Sequence, residues 1–148
     1  YDDVEFYLSA NPGEAIKPLS KIASGGEVSR IMLSIKSVLK EDDPVQTLIF
    51  DEIDSGISGE AADKVAQALK SLSKEKQVIC ITHLPQIASL ADNHLYVGKK
   101  VVENKTYVEA LYLNDQQKVS AVAKLFSGED SAGQVIDKKN SMDSRAHG

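Results

Sequence analysis

Tryptophan is absent from this sequence of 148 residues, cysteine occurs once, and aromatic residues make up only 5% of it. A single cysteine excludes an internal disulfide. Cys80 lies in the apolar run Val78-Ile79-Cys80-Ile81, which reads as a buried structural thiol in a reducing cytosol rather than as a nucleophile. No apolar stretch approaches the ~20 residues that span a bilayer, and no secretory leader is visible, so no membrane partner is expected. Positive charge is also scarce: 17 Lys and Arg stand against 22 Asp and Glu, a net charge of −5. That balance argues against a dedicated nucleic-acid-binding module, which needs a basic patch to displace phosphate counterions, although it leaves room for a local basic face. The chain begins at Tyr1 rather than at a methionine, as expected of a segment of something longer.

What is present is enough for one core. At this length, with 42% hydrophobic residues, folding removes about 68–70% of the surface an unfolded chain exposes. Val4 to Leu8 alternates like a strand, Asn11-Pro12-Gly13 turns the chain, and Pro18 keeps the next stretch extended. From Ser24 a helix is expected, with Val28, Ile31, Met32, Ile35, Val38 and Leu39 as its apolar face, ending at Asp42-Asp43-Pro44. Thr47 to Phe50 and Gln77 to Thr82 are short continuous apolar runs, read as strands covered on both faces. Between them a second amphipathic helix turns Ala62, Val65, Ala66, Leu69 and Leu72 inward. A short helix over Pro85 to Leu90, a third strand around Leu95 to Val97, a hairpin from Lys99 to Leu113 turning at Glu103-Asn104-Lys105, and a helix from Lys118 to Phe126 complete the order. Buried strands alternating with helices indicate an α/β fold with parallel βαβ units. Residues 1–127 are read as one lobe, and the polar, aperiodic 128–148 as a disordered or non-native tail.

Three patterns carry chemistry. Asp51-Glu52 follows a buried strand at the end where α/β sheets form ligand crevices. Two carboxylates buried there unpaired would cost several kcal/mol, so either a cation or solvent must meet them. A hydrophobic strand ending in Asp is the pattern that holds Mg²⁺ beside nucleotide phosphates, with the next carboxylate placed to orient and deprotonate water. Two solvated acids at a strand end are the plainer alternative. Ser24-Gly25-Gly26-Glu27 opens a helix whose N–H groups suit an anion, but Ser at the cap with Glu three residues on is also an ordinary capping box. His83 follows a strand parallel to that of Asp51, where an imidazole could bond a γ-phosphate; a lone histidine is as readily structural. Asp54 belongs either to a loop that crosses an interface or to a helix-approach turn. His94 and His147 have no such placement.

Taken in order, Ser-Gly-Gly-Glu, hydrophobic-Asp-Glu and strand-Thr-His resemble the ABC ATPases. The wording of Ala23–Met32, Leu48–Ile57 and Ile81–Ala88 is similar to the RecN family of bacterial DNA-repair ATPases, whose heads are related to the chromosome-maintenance (SMC) proteins. The likeness runs over about residues 2–128. It implies the C-terminal lobe of an ABC-type head, with a mostly parallel sheet, flanking helices and a terminal hairpin. It implies that Ser24, Gly25, Gly26 and Glu27 contact ATP held by the opposite subunit, that Asp51 holds Mg²⁺, that Glu52 is the general base, that Asp54 lies at the dimer interface and that His83 is a switch residue. It implies as partners the N-terminal half of the same head, a second head in a homodimer and, through the whole protein, DNA in the bacterial cytoplasm. A DEAD-type helicase lobe fits Asp51-Glu52-Ile53-Asp54 but leaves the Ser-Gly-Gly-Glu segment unexplained. A transporter nucleotide-binding domain more often has Gln where Glu27 stands, and a non-catalytic scaffold module leaves the acid pair and His83 idle. No Gly-x-x-x-x-Gly-Lys-Ser/Thr occurs anywhere, so the chain alone is expected neither to bind ATP tightly nor to hydrolyse it.

Overall fold

A computed structural model of the chain describes residues 5–9, 13, 15–21, 24–39 and 43–128. The expected turn at Asn11-Pro12 and the tail beyond residue 128 lie outside them. The chain divides into two compact units, Tyr1–Thr82 and His83–Gly148.

The first unit opens with a short antiparallel pair, β1 (Tyr7–Leu8) with β2 (Lys17–Pro18). Helix α1 (Gly25–Val38) follows, then β3 (Thr47–Phe50), α2 (Gly59–Leu72) and β4 (Gln77–Cys80). Strands β3 and β4 are parallel and in register from Thr47 opposite Gln77 to Phe50 opposite Cys80, so their C-terminal ends are neighbours. Helix α2 is the crossover between them. It buries Ala62, Ala66, Leu69 and Leu72, an i, i+4, i+7, i+10 stripe that agrees with the sequence periodicity. Leu48 and Phe50 of β3 are buried, and Ile53 just past the strand is fully so. Lys36 at the end of α1 pairs with Asp43 at 2.5 Å, and the buried Lys76 donates to the Asp43 carbonyl at 2.6 Å, tying the ends of α1 and α2 to the entrance of β3.

Two expectations change here. The face α1 turns inward is Gly26, Ser29, Arg30 and Leu33, with Leu33 only 3% exposed, whereas Val28, Met32, Val38 and Leu39 of the apolar stripe stand largely in solvent. The apolar stripe occupies one side of this helix while Leu33 stands among polar residues on another, so periodicity finds a stripe without deciding which side this unit packs. Strands β3 and β4 are covered on one face only: Ile49 is 68% exposed, Ile79 45% and Ile81 58%.

The second unit contains α3 (Pro85–Ser89), the antiparallel hairpin β5 (Leu95–Val102) and β6 (Lys105–Tyr112), and α4 (Asp115–Ser127). The hairpin turns at Glu103 and Asn104, both at positive φ, as placed from the sequence. The separate third strand expected at Leu95 to Val97 is instead the first half of β5, because pairing with β6 runs without a break from Leu95 opposite Tyr112 to Val102 opposite Lys105. Helix α4 starts earlier than expected, at an Asn114–Gln117 capping box, and ends at Gly128 with φ 69°. Among the described residues, parallel pairing is confined to β3 and β4, and no helix is long and apolar enough to cross a membrane.

Candidate functional site

The site in the first unit grows from the meeting of α1 with the loop after β3. Ser24 caps α1: its Oγ accepts the Glu27 N–H at 3.3 Å, and the Glu27 carboxylate accepts the Ser24 N–H at 3.0 Å. The capping-box reading is therefore realised, and is worth about 1 kcal/mol to the helix. It uses an acceptor lone pair of Ser24 and leaves the hydroxyl proton able to donate.

Gly25 and Gly26 place that helix end directly on the acidic loop. A Cβ on Gly25 would collide with the Glu52 carboxylate, and one on Gly26 would lie 2.8 Å from the Glu52 carbonyl and 2.9 Å from Ser55 Cβ. The glycines are thus needed for close approach between two stretches of the same chain. Asp51 and Glu52 are both exposed at the end of β3. Asp51 accepts the Glu52 N–H on its own carboxylate at 2.9 Å, and Glu52 sits at φ 55°, a left-handed conformation rare outside glycine.

Asp54 is turned inward. It is 5% exposed and accepts the Thr82 hydroxyl at 2.6 Å, so its carboxylate is engaged within its own chain. Thr82 closes the first unit; His83 is the next residue along the chain, is exposed, and opens the second unit. In the second unit His94 bonds the Ala88 carbonyl at 2.8 Å, a local structural role. Burial, and behind it the negative charges of Asp54 and Asp51, push the Cys80 thiol up to about 11, which keeps it protonated and unreactive at neutral pH.

Two residues of this site had no role assigned from the sequence. Ser29 donates to the Asp51 carbonyl at 2.7 Å, and one Arg30 nitrogen, Nη1, donates to the carbonyls of Ile53 at 3.0 Å and Ser55 at 2.8 Å. They lie three and four residues after Gly26, on the helical face Gly26 turns to the loop, and that spacing was the available signal.

No family model matches the chain. Among curated proteins it is similar to the DNA repair protein RecN of Halalkalibacterium halodurans, 50% identical over 127 residues, covering 86% of this chain and 22% of that protein. The RecN of Treponema pallidum is 52% identical over 129 residues, 87% of this chain and 22% of that protein, and the RecN of Vibrio cholerae is 41% identical over 128 residues. The chain therefore spans about a fifth of the length of the relatives it matches. Among solved structures it is similar to an Smc head domain with a coiled coil and joint from Pyrococcus yayanosii, with TM-score 0.55 and 25% identity over 80% of this chain and 21% of that one. An Smc head domain from Pyrococcus furiosus, solved bound to the C-terminal domain of ScpA, gives TM-score 0.50 and 27% identity over 76% of this chain and 27% of that one.

Proposed function

We infer that a chain so similar to the RecN DNA repair proteins is the C-terminal half of an ABC-type ATPase head, and works only with the remainder of that head. The observation that carries this reading is the seating of the Ser24-Gly25-Gly26 helix start on the Asp51-Glu52 loop in one lobe. Both are the parts an ATP-sandwiching head must offer, one to each of two nucleotides.

In this reading Asp51 contributes the carboxylate for Mg²⁺. Among the described residues no three His, Cys, Asp or Glu side chains cluster as a metal cage. A Mg²⁺ ion beside nucleotide phosphates would need only one or two protein carboxylates, so the exposed Asp51 fits that use. The ion, when bound, neutralises charge developing on the phosphates. Glu52 accepts the proton of the attacking water. Ser24 donates its hydroxyl, and the N–H groups of Gly25 and Gly26 face the γ-phosphate held by the opposite head. His83, the residue that follows the second strand, acts as the switch residue toward the γ-phosphate of the nucleotide that the acid pair serves, and Asp54 belongs to the loop at the interface. The phosphate-cradling loop and its lysine come from the N-terminal half, whose packing would cover Ile49, Ile79 and Ile81 and extend β3 and β4 into a mostly parallel sheet. ATP clamps two heads of a homodimer and hydrolysis releases them, in a bacterial cytoplasmic protein that acts on broken DNA.

The test is reconstitution. This chain, co-expressed with the rest of the full-length protein, is expected to support Mg²⁺-dependent ATP hydrolysis, and alone to support none. Glu52→Gln in the full-length protein should lower turnover by about 10²–10⁴ while ATP still pairs the heads. Equal turnover by the solitary chain, or an unimpaired Glu52→Gln protein, refutes the assignment.

A further inference from the structure

The two serviceable edges of this lobe are joined by two neighbouring side chains of α1. Arg30 stands one helical turn into α1, and its Nη1 donates to two carbonyls, those of Ile53 and Ser55, while Ser29 beside it donates to Asp51. Consecutive helical residues thus hold every second carbonyl of the loop from 51 to 55. That loop has no ladder of its own, so these carbonyls would otherwise depend on water. Its other anchors are equally firm: Ile53 is fully buried, Asp54 is bonded to Thr82, and the Ser55 N–H bonds back to the Glu52 carbonyl at 2.9 Å. Gly26 brings the backbone close enough for the reach, since a Cβ there would also lie 3.0 Å from Arg30 Nη1. A loop held this way moves with the helix.

We propose that Arg30, seconded by Ser29, is a positioning residue that makes the start of α1 and the acidic loop a single mechanical part. The proposal rests on the ATPase reading above. In a sandwich of two heads, the start of α1 meets one nucleotide and the acidic loop serves the other. A displacement of α1 by the γ-phosphate in one site is then delivered through Arg30 to the carboxylates of the second site. Arg30 touches no nucleotide in this scheme; it aligns the residues that do. Its planar fork suits two divergent carbonyls, whereas a lysine would supply a point donor on a flexible stem.

The experiment uses the full-length protein carrying Arg30→Met, Arg30→Lys or Ser29→Ala, and reads ATP-dependent head pairing, kcat and KM separately. Arg30→Met is expected to pair on ATP like the unaltered protein, with KM within about twofold, while kcat falls about tenfold. Arg30→Lys should recover part of that loss, and Ser29→Ala should show a smaller one. An unchanged kcat in a folded Arg30→Met protein overturns the proposal. So does a parallel loss of pairing and turnover, which marks a merely structural arginine. Should Arg30→Met fail to fold, full turnover in both Arg30→Lys and Ser29→Ala overturns it equally. If the unaltered protein hydrolyses no ATP, the ATPase reading fails first, and the two failures are distinct.

Discussion

Gly25 and Gly26 are adjacent, yet what surrounds them differs. A methyl group on Gly26 meets backbone and a Cβ, which cannot move independently, so Gly26→Ala is expected to destabilise the isolated chain by about 1–3 kcal/mol. A methyl on Gly25 meets the far end of the Glu52 side chain, which can rotate away, so Gly25→Ala should cost under about 0.5 kcal/mol in folding. The same rotation moves the carboxylate, and turnover of the full-length protein should fall. Thermal unfolding beside ATPase rates checks the pair, and equal stability losses would contradict the packing described. The glycines and the acid pair were legible because each is a short unbroken pattern. Arg30 and Ser29 were not, because polar residues in a helix ordinarily mark the wet side, and here the loop's carbonyls, with the buried Leu33, turn this face inward.

At the scale of elements, Lys36 and Asp43 fasten the end of α1 to the entry of β3. The bond from Lys36, with that from the Val45 N–H, holds the Asp43 carboxyl below its ordinary value of 3.8. A depressed carboxyl stabilises the fold at pH above the unfolded value and loses that contribution as pH falls through the folded one. Asp43→Asn should therefore unfold at a lower temperature than the unaltered chain at pH 7, with the gap closing below about pH 4. A gap that stays constant down to pH 3 would remove the ion pair from the account. Element order and type were largely readable: α1, β3, α2 and β4 fall where periodicity and turn residues put them, while the hairpin and α4 begin earlier than expected. Facing was less so. The stripe Val28, Met32, Val38 was real, but α1 packs through Leu33 on the more polar side, since the loop after β3 supplies that side with partners.

For the whole molecule, the open side of β3 and β4 is the informative surface. Parallel strands are ordinarily covered on both faces, and on the proposed reading the runs Thr47–Phe50 and Gln77–Thr82 are apolar on both sides because the rest of the head would cover the open one. Ile49→Lys should consequently leave the thermal unfolding of the solitary chain within about 0.5 kcal/mol of the unaltered one, and abolish its co-elution with the rest of the head in size-exclusion chromatography. Retained co-elution would place the contact elsewhere, and a shift from dimer to monomer of the solitary chain would assign the face to a second copy. Bare isoleucines at 49, 79 and 81 also have a cellular meaning. Chaperones and proteases triage chains that display greasy strands, so on the proposed reading a lobe without the rest of its head would carry its own mark for disposal, and pairing would remove it.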